Sequence, residues 1–143
     1  MAISYCLCIF VDQRHLIVTN GETFNRLLSL LSHSSQKVQK EVLDSVSLLL
    51  EHNQSWSELI ISHGSLSRLL SFFSSSKVGI QEKSAWIVCK MMATGTNKQV
   101  RTNKRTLLDH GVTTHLYELL GASDTNVVKL GLFGLNKVSA RWF

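Results

Sequence analysis

The sequence predicts an all-α protein of about three stacked helical units, and three observations carry that prediction. Among its 143 residues there is no proline, and the few glycines punctuate apolar periodic runs, which favours long uninterrupted helices. Within those runs apolar side chains recur at helical spacing: Leu66, Leu69, Leu70 and Phe73 make one stripe at i, i+3, i+4, i+7. Above all, the chain repeats itself. RLLSLL at Arg26–Leu31 returns 42 residues later as RLLSFF at Arg68–Phe73, and 47 residues after that, more loosely, as HLYELL at His115–Leu120. A second landmark keeps the same offsets: VQKEVLD from Val38, IQEKSAW from Ile80 and VVKLGLF from Val127. Two landmarks that move together mark a structural repeat.

Composition agrees. At 44% hydrophobic and 17% charged residues the chain is not of the disordered kind. A chain of this length is about one domain and buries roughly two-thirds of its unfolded surface.

The opening segment, residues 1–19, begins MAISYCLCIFV. This apolar run lacks a basic start and a small-residue cleavage pattern, and it is too short to span a membrane. It is expected to be a lead-in or an amino-terminal cap. Residues 20–143 then divide into units of about 20–62, 63–109 and 110–143, introduced by Asn20-Gly21, His63-Gly64 and Asp109-His110-Gly111. Glycine there lets the chain turn out of one helix into the next.

Each unit reads as three helices: a short one (SWSELIIS, KRTLLDH), a medium one (SLSRLLSFF) and a long one (KVQKEVLDSVSLLLEH). In the long helix Val38, Val42, Val46 and Leu49 share one face, and Lys37, Lys40 and Glu41 another. Ser34-Ser35 and Ser123-Asp124 are placed to cap helix starts with a side-chain oxygen. The odd last offset has a local source. TNK at Thr96–Lys98 recurs at Thr102–Lys104, so Thr102 to Arg105 is read as an insertion that lengthens a loop or adds a helical turn.

The formal charge of +5 is concentrated in Lys98, Arg101, Lys104 and Arg105, read as a solvated basic linker. Phe72, Phe73, Trp86 and Phe133 fall on apolar helical faces and do not interleave with these cations, as a base-stacking platform requires. A nucleic-acid partner is not expected, nor a membrane. Cys6, Cys8 and Cys89 form no CxxC pair and have no histidine at zinc-finger spacing. They are expected to be reduced thiols, with no metal and no cofactor. Asn53-Gln54-Ser55 matches a glycosylation acceptor, which matters only in a secreted chain. The six histidines form no HExxH; there is no P-loop, nucleophile elbow or carboxylate pair. The protein is read as no enzyme, and His63 and His110 as residues that close helix ends.

A unit of about 42 residues with a short, a medium and a long helix is the armadillo pattern. HGSLSRLLSFFSSSKVGIQEKSAWIVCKMMATGTNKQVR and LLDHGVTTHLYELLGASDTNVVKLGLFGLNKV resemble consecutive armadillo repeats, most of all those of importin-α, and the resemblance covers Asn20 to Val138. It implies a right-handed α-superhelix, an armadillo-type solenoid of about three repeats, whose third helices line a concave groove for an extended peptide. It also implies a tryptophan with an asparagine four residues on in each third helix. The asparagine holds the peptide backbone and the tryptophan gives a face for lysine stems. Trp86 stands at that tryptophan position, followed by Lys90. The first unit has Asp44 and Leu48 there, and the third has Phe133 and Lys137. Lys90 and Lys137 along one groove favour an acidic or neutral peptide over a basic one. Lys90 is also placed to fold back over the Trp86 ring.

The function expected is non-catalytic binding of a protein or extended peptide on the concave face, an importin-α-like adaptor with altered groove residues, in the cytoplasm, the nucleus or both. A complete nuclear-import adaptor would also need a basic amino-terminal segment, and Met1 to Asn20 holds no such cluster. The alternative is a truncated or terminal piece of an armadillo array that acts by stacking through its exposed ends. Leu132, Leu135 and Trp142 are the candidates for an uncovered apolar end, and self-association is among the expected partnerships.

Overall fold

The computed structural model describes residues 21–140, which form helices joined by short turns. Helix α1 is Gly21–Ser29, extended by a 3-10 turn at Leu30–Ser32, and α2 is Gln36–His52. Helices α3 (Trp56–His63), α4 (Leu66–Ser71, with a 3-10 turn at Phe72–Ser74) and α5 (Val78–Ala93) follow. The last three are α6 (Asn97–Asp109), α7 (Val112–Leu119) and α8 (Thr125–Ser139). The order medium, long, short recurs along the chain, as the repeated landmarks predict. The 1–19 lead-in, Cys6, Cys8, His15 and Trp142 lie outside the described residues.

The long helices lie side by side, α2 against α5 and α5 against α8. Their apolar stripes build one continuous core, with Val42, Leu43, Val46, Ile87, Val88, Leu116 and Val127 all at 0% exposure. Gly64 and Gly111 take left-handed backbone angles, φ 81° and 76°. That region is open to glycine at little cost, and it lets α3 turn into α4 and α6 into α7.

The helix starts depart in part from expectation. Asp124 caps α8 as anticipated, its carboxylate accepting from the amides of Asn126 and Val127. Ser35 does not cap α2 with its hydroxyl. There the preceding turn is tied by His33, whose Nδ1 accepts from the Ser35 amide and whose carbonyl accepts from Gln39 Nε2. The basic segment is likewise no loop. Thr96 and Gln99 form a reciprocal capping box that satisfies free amides at both residues, so the helix begins at Asn97. The odd repeat offset is thus extra helix: α6 has 13 residues where α3 has 8.

Adjacent units are braced by specific contacts as well as by burial. Phe24 stacks on Trp56 at 5.4 Å between ring centroids. Arg68 Nε donates to the Leu31 carbonyl at 3.0 Å. Asn103, 1% exposed, donates through Nδ2 to Ser57 Oγ and to the Met91 carbonyl. Helix α8 approaches its neighbours through two glycines. A Cβ on Gly131 would lie 3.1 Å from the Leu116 carbonyl oxygen, and one on Gly134 would lie 2.5 Å from Leu116 Cδ2.

Candidate functional site

The third-helix positions form a row because each unit contributes the same two turns of its long helix: Asp44 and Leu48 from α2, Trp86 and Lys90 from α5, Phe133 and Lys137 from α8. Between α2 and α5 the row opens into a hollow of about 440 Å³. Asp44, Leu48 and Trp86 meet there with Lys40, Ser47, Glu51 and Lys83. Three of the six expected groove residues therefore share one cavity.

The first stretch of this groove is electrically balanced. Asp44 Oδ2 accepts from Lys40 Nζ at 3.0 Å, and its Oδ1, shielded and without a hydrogen bond, faces Lys83 Nζ at 3.7 Å. Lys83 and Glu51 were not among the residues singled out by sequence. Lys40 was, as part of a polar helix face, and its position four residues before Asp44 is the spacing that brings a lysine and a carboxylate together.

Beyond Trp86 the groove is cationic. Lys90 Nζ stands over the Trp86 ring, 5.5 Å from its centroid, and Lys137 Nζ over the Phe133 ring at 5.3 Å. Trp86 is half-buried, one side against the core. Phe133 is 42% exposed. In both units the aromatic face that could take a ligand cation already holds the protein's own lysine.

At the end of the third unit Leu132 is 52% exposed, while Leu135 is half-buried against the core. Tyr117, at 70% exposure, was not singled out. The repeat held the signal, since offsets of 42 and 47 align Leu28, Leu70 and Tyr117.

One hydroxyl–imidazole chain resembles catalytic machinery. Ser29 Oγ lies 3.2 Å from His63 Nε2, and His63 Nδ1 bonds Ser65 Oγ. Its polarity is wrong for a nucleophile, because the Ser29 hydroxyl donates to the Asn25 carbonyl at 2.8 Å. Ser29 therefore accepts from His63 and has no proton to give it. The chain ties α1 to α3. His110 Nδ1 bonds the Thr106 carbonyl, closing α6, and His115 packs edge-on against Phe73. Cys89 is buried, and that burial pushes its thiol up to about 12, so it is no nucleophile near neutrality.

Among the described residues no group of three His, Cys, Asp or Glu could hold a metal ion, and no helix is long and apolar enough to cross a membrane. The basic side chains of α6 lie apart from the groove. Lys98, Arg101 and Arg105 are exposed along one open face with Asn97, Thr102, Thr106 and Asp109, while Lys104 is buried.

No family model matches the chain, and no curated protein does. Solved structures do. A designed armadillo repeat protein superposes with a TM-score of 0.70 at 19% identity, over 82% of this chain and 48% of its own. A designed armadillo repeat protein in complex with the peptide (KR)4 gives 0.71 at 21%, over 82% and 47%. An engineered protein gives 0.75 at 18%, over 86% of this chain and 29% of its own. The chain spans about half or less of these structures. At such identities the likeness shows the fold: an all-α, armadillo-type solenoid.

Proposed function

We propose that this protein is a non-catalytic scaffold that binds an extended peptide of another protein along the row from Asp44 to Lys137. The hollow between α2 and α5, walled by Leu48 and Trp86 and lined by the Lys40–Asp44–Lys83 cluster, is the observation that carries the proposal. It offers an apolar wall for a side chain and paired charges to orient a backbone, the mixture that defines a peptide subsite. A solved likeness with a peptide in complex supports the use of this fold for the purpose.

The ligand is acidic or neutral in its second half. A peptide running from the hollow toward α8 meets Lys90 and then Lys137, whose like charge disfavours lysine and arginine side chains and favours glutamate or aspartate. An adaptor duty for basic nuclear-import signals, to which the importin-α resemblance points, rests on Trp86 without an asparagine ladder, and we rank it second. Residence in cytoplasm, nucleus or both fits either ligand.

Fluorescence anisotropy of labelled extended peptides separates the two. An apolar-acidic peptide is expected to saturate, to weaken on raising salt, and to be lost in the Trp86→Ala variant. Saturable binding of a lysine-rich peptide alone would reinstate the import reading, and no uptake of either would sink the groove proposal.

A further inference from the structure

We propose that the far face of the third unit is an interface that pairs two copies of this chain end to end, about a two-fold axis. The proposal is independent of the peptide groove.

The repeat supplies the internal control. Leu28 in the first unit and Leu70 in the second are each 1% exposed, and the equivalent residue of the third unit, Tyr117, is 70% exposed. Leu43 and Ala85 are each at 0%, against 52% for Leu132. Val46 and Val88 are at 0%, while Leu135 is half-buried. Leu31 and Phe73 are each 1% exposed, and Leu120 is half-buried. Each of these series is covered twice and opened once.

The cover is the following unit. Arg68 of the second unit bonds the Leu31 carbonyl, and His115 of the third packs on Phe73. The third unit thus carries the apolar set of a unit interface that is built twice within the chain and left unbuilt a third time. It is also more apolar than its forerunners at one place: Gln39 and Gln81, which donate to backbone carbonyls, give way to Val128.

The composition of the face points to a partner that comes and goes. Leucine at positions 28 and 70 becomes tyrosine at 117, a residue that contributes large contact area yet keeps a hydroxyl for water when uncovered. The other end of the chain fixes the symmetry. Leu30 is the one large apolar side chain exposed among the described residues of the first unit, so a second copy finds no matching apolar face for head-to-tail stacking. Like face meets like face, which closes the assembly at two.

The test is sedimentation velocity of the full chain over roughly a hundredfold concentration range. A monomer–dimer equilibrium without larger species is expected. Leu132→Glu, at a site exposed enough to leave the helical signal in circular dichroism unchanged, is expected to raise the dissociation constant roughly tenfold or more. Tyr117→Ala is expected to weaken the dimer less, and Leu132→Met to keep it. Trp86→Ala should leave the dimer untouched. A monomer throughout, an open-ended series of polymers, or a dimer indifferent to both Leu132→Glu and Tyr117→Ala would each overturn the proposal.

Discussion

The ammonium of Lys90 stands 5.5 Å from the ring centroid of Trp86, and one unit further Lys137 repeats the relationship with Phe133 at 5.3 Å. Both pairs are i, i+4 on a helix, the spacing that stacks one side chain on the next. Each lysine covers the ring that a ligand cation would otherwise use. The Lys90→Ala variant is expected to lose only about 0.5–1 kcal/mol of stability, the worth of an exposed cation–π contact. In peptide titrations it should bind a lysine-rich peptide several-fold more tightly and an acidic one several-fold more weakly. Parallel changes for both peptides would show that Lys90 is not the selector.

Asn103 is a buried brace between units, and its removal should be costly. Its Nδ2 group serves Ser57 Oγ at 3.1 Å and the Met91 carbonyl at 2.9 Å. Asn103→Leu removes both bonds and puts an apolar side chain against two polar atoms. We expect a loss of about 1–3 kcal/mol, read as a lower midpoint in urea with the slope unchanged. Lys98→Ala, on the exposed face of the same helix, should stay within about 0.5 kcal/mol.

That contrast marks what the sequence could and could not disclose. Periodicity and repeat offsets revealed the helices, their order and the position of Trp86, because burial of one face imposes a pattern on neighbours in sequence. The second TNK looked like basic spacer, because nothing local says that Asn103 reaches Ser57 across 46 positions. The hollow was half legible for the same reason: Asp44 and Leu48 follow from the repeat, while Lys83 enters from the next unit's helix. Tyr117 was legible in the alignment of units, yet its exposure depends on what stacks beyond it, and sequence does not record that.

Gly131 sets how closely α8 can approach α7. A Cβ there would meet Leu119 Cβ at 3.0 Å and the Leu116 carbonyl oxygen at 3.1 Å, atoms fixed to the facing backbone. Gly131→Val would force the helices apart. We expect about 2–3 kcal/mol of destabilisation from overpacking, seen as a lower thermal midpoint. The helix-propensity gain of under about 1 kcal/mol on leaving glycine is too small to offset it. A variant as stable as the parent would mean the two helices are not seated as closely as described.

Cys89 should be chemically silent in the native protein and a source of alkaline sensitivity. It is 3% exposed, its Sγ donates to the Leu130 carbonyl at 3.4 Å, and burial pushes its thiol from the ordinary 9.0 to about 12. Iodoacetamide at pH 8 is therefore expected to modify Cys89 only as fast as the protein opens, read by mass spectrometry of its peptide. The sign of the pH effect follows from linkage. The thiol is raised in the folded state, so its contribution is complete below pH 9, where both states keep the proton. Above that the unfolded chain releases its proton first, and the contribution is lost as pH rises toward about 12. Cys89→Ser keeps a donor for Leu130 and does not titrate in this range. The stability difference between parent and variant should thus hold steady below pH 9 and move against the parent above it; a difference flat across the whole range would place Cys89 in water, not in the core.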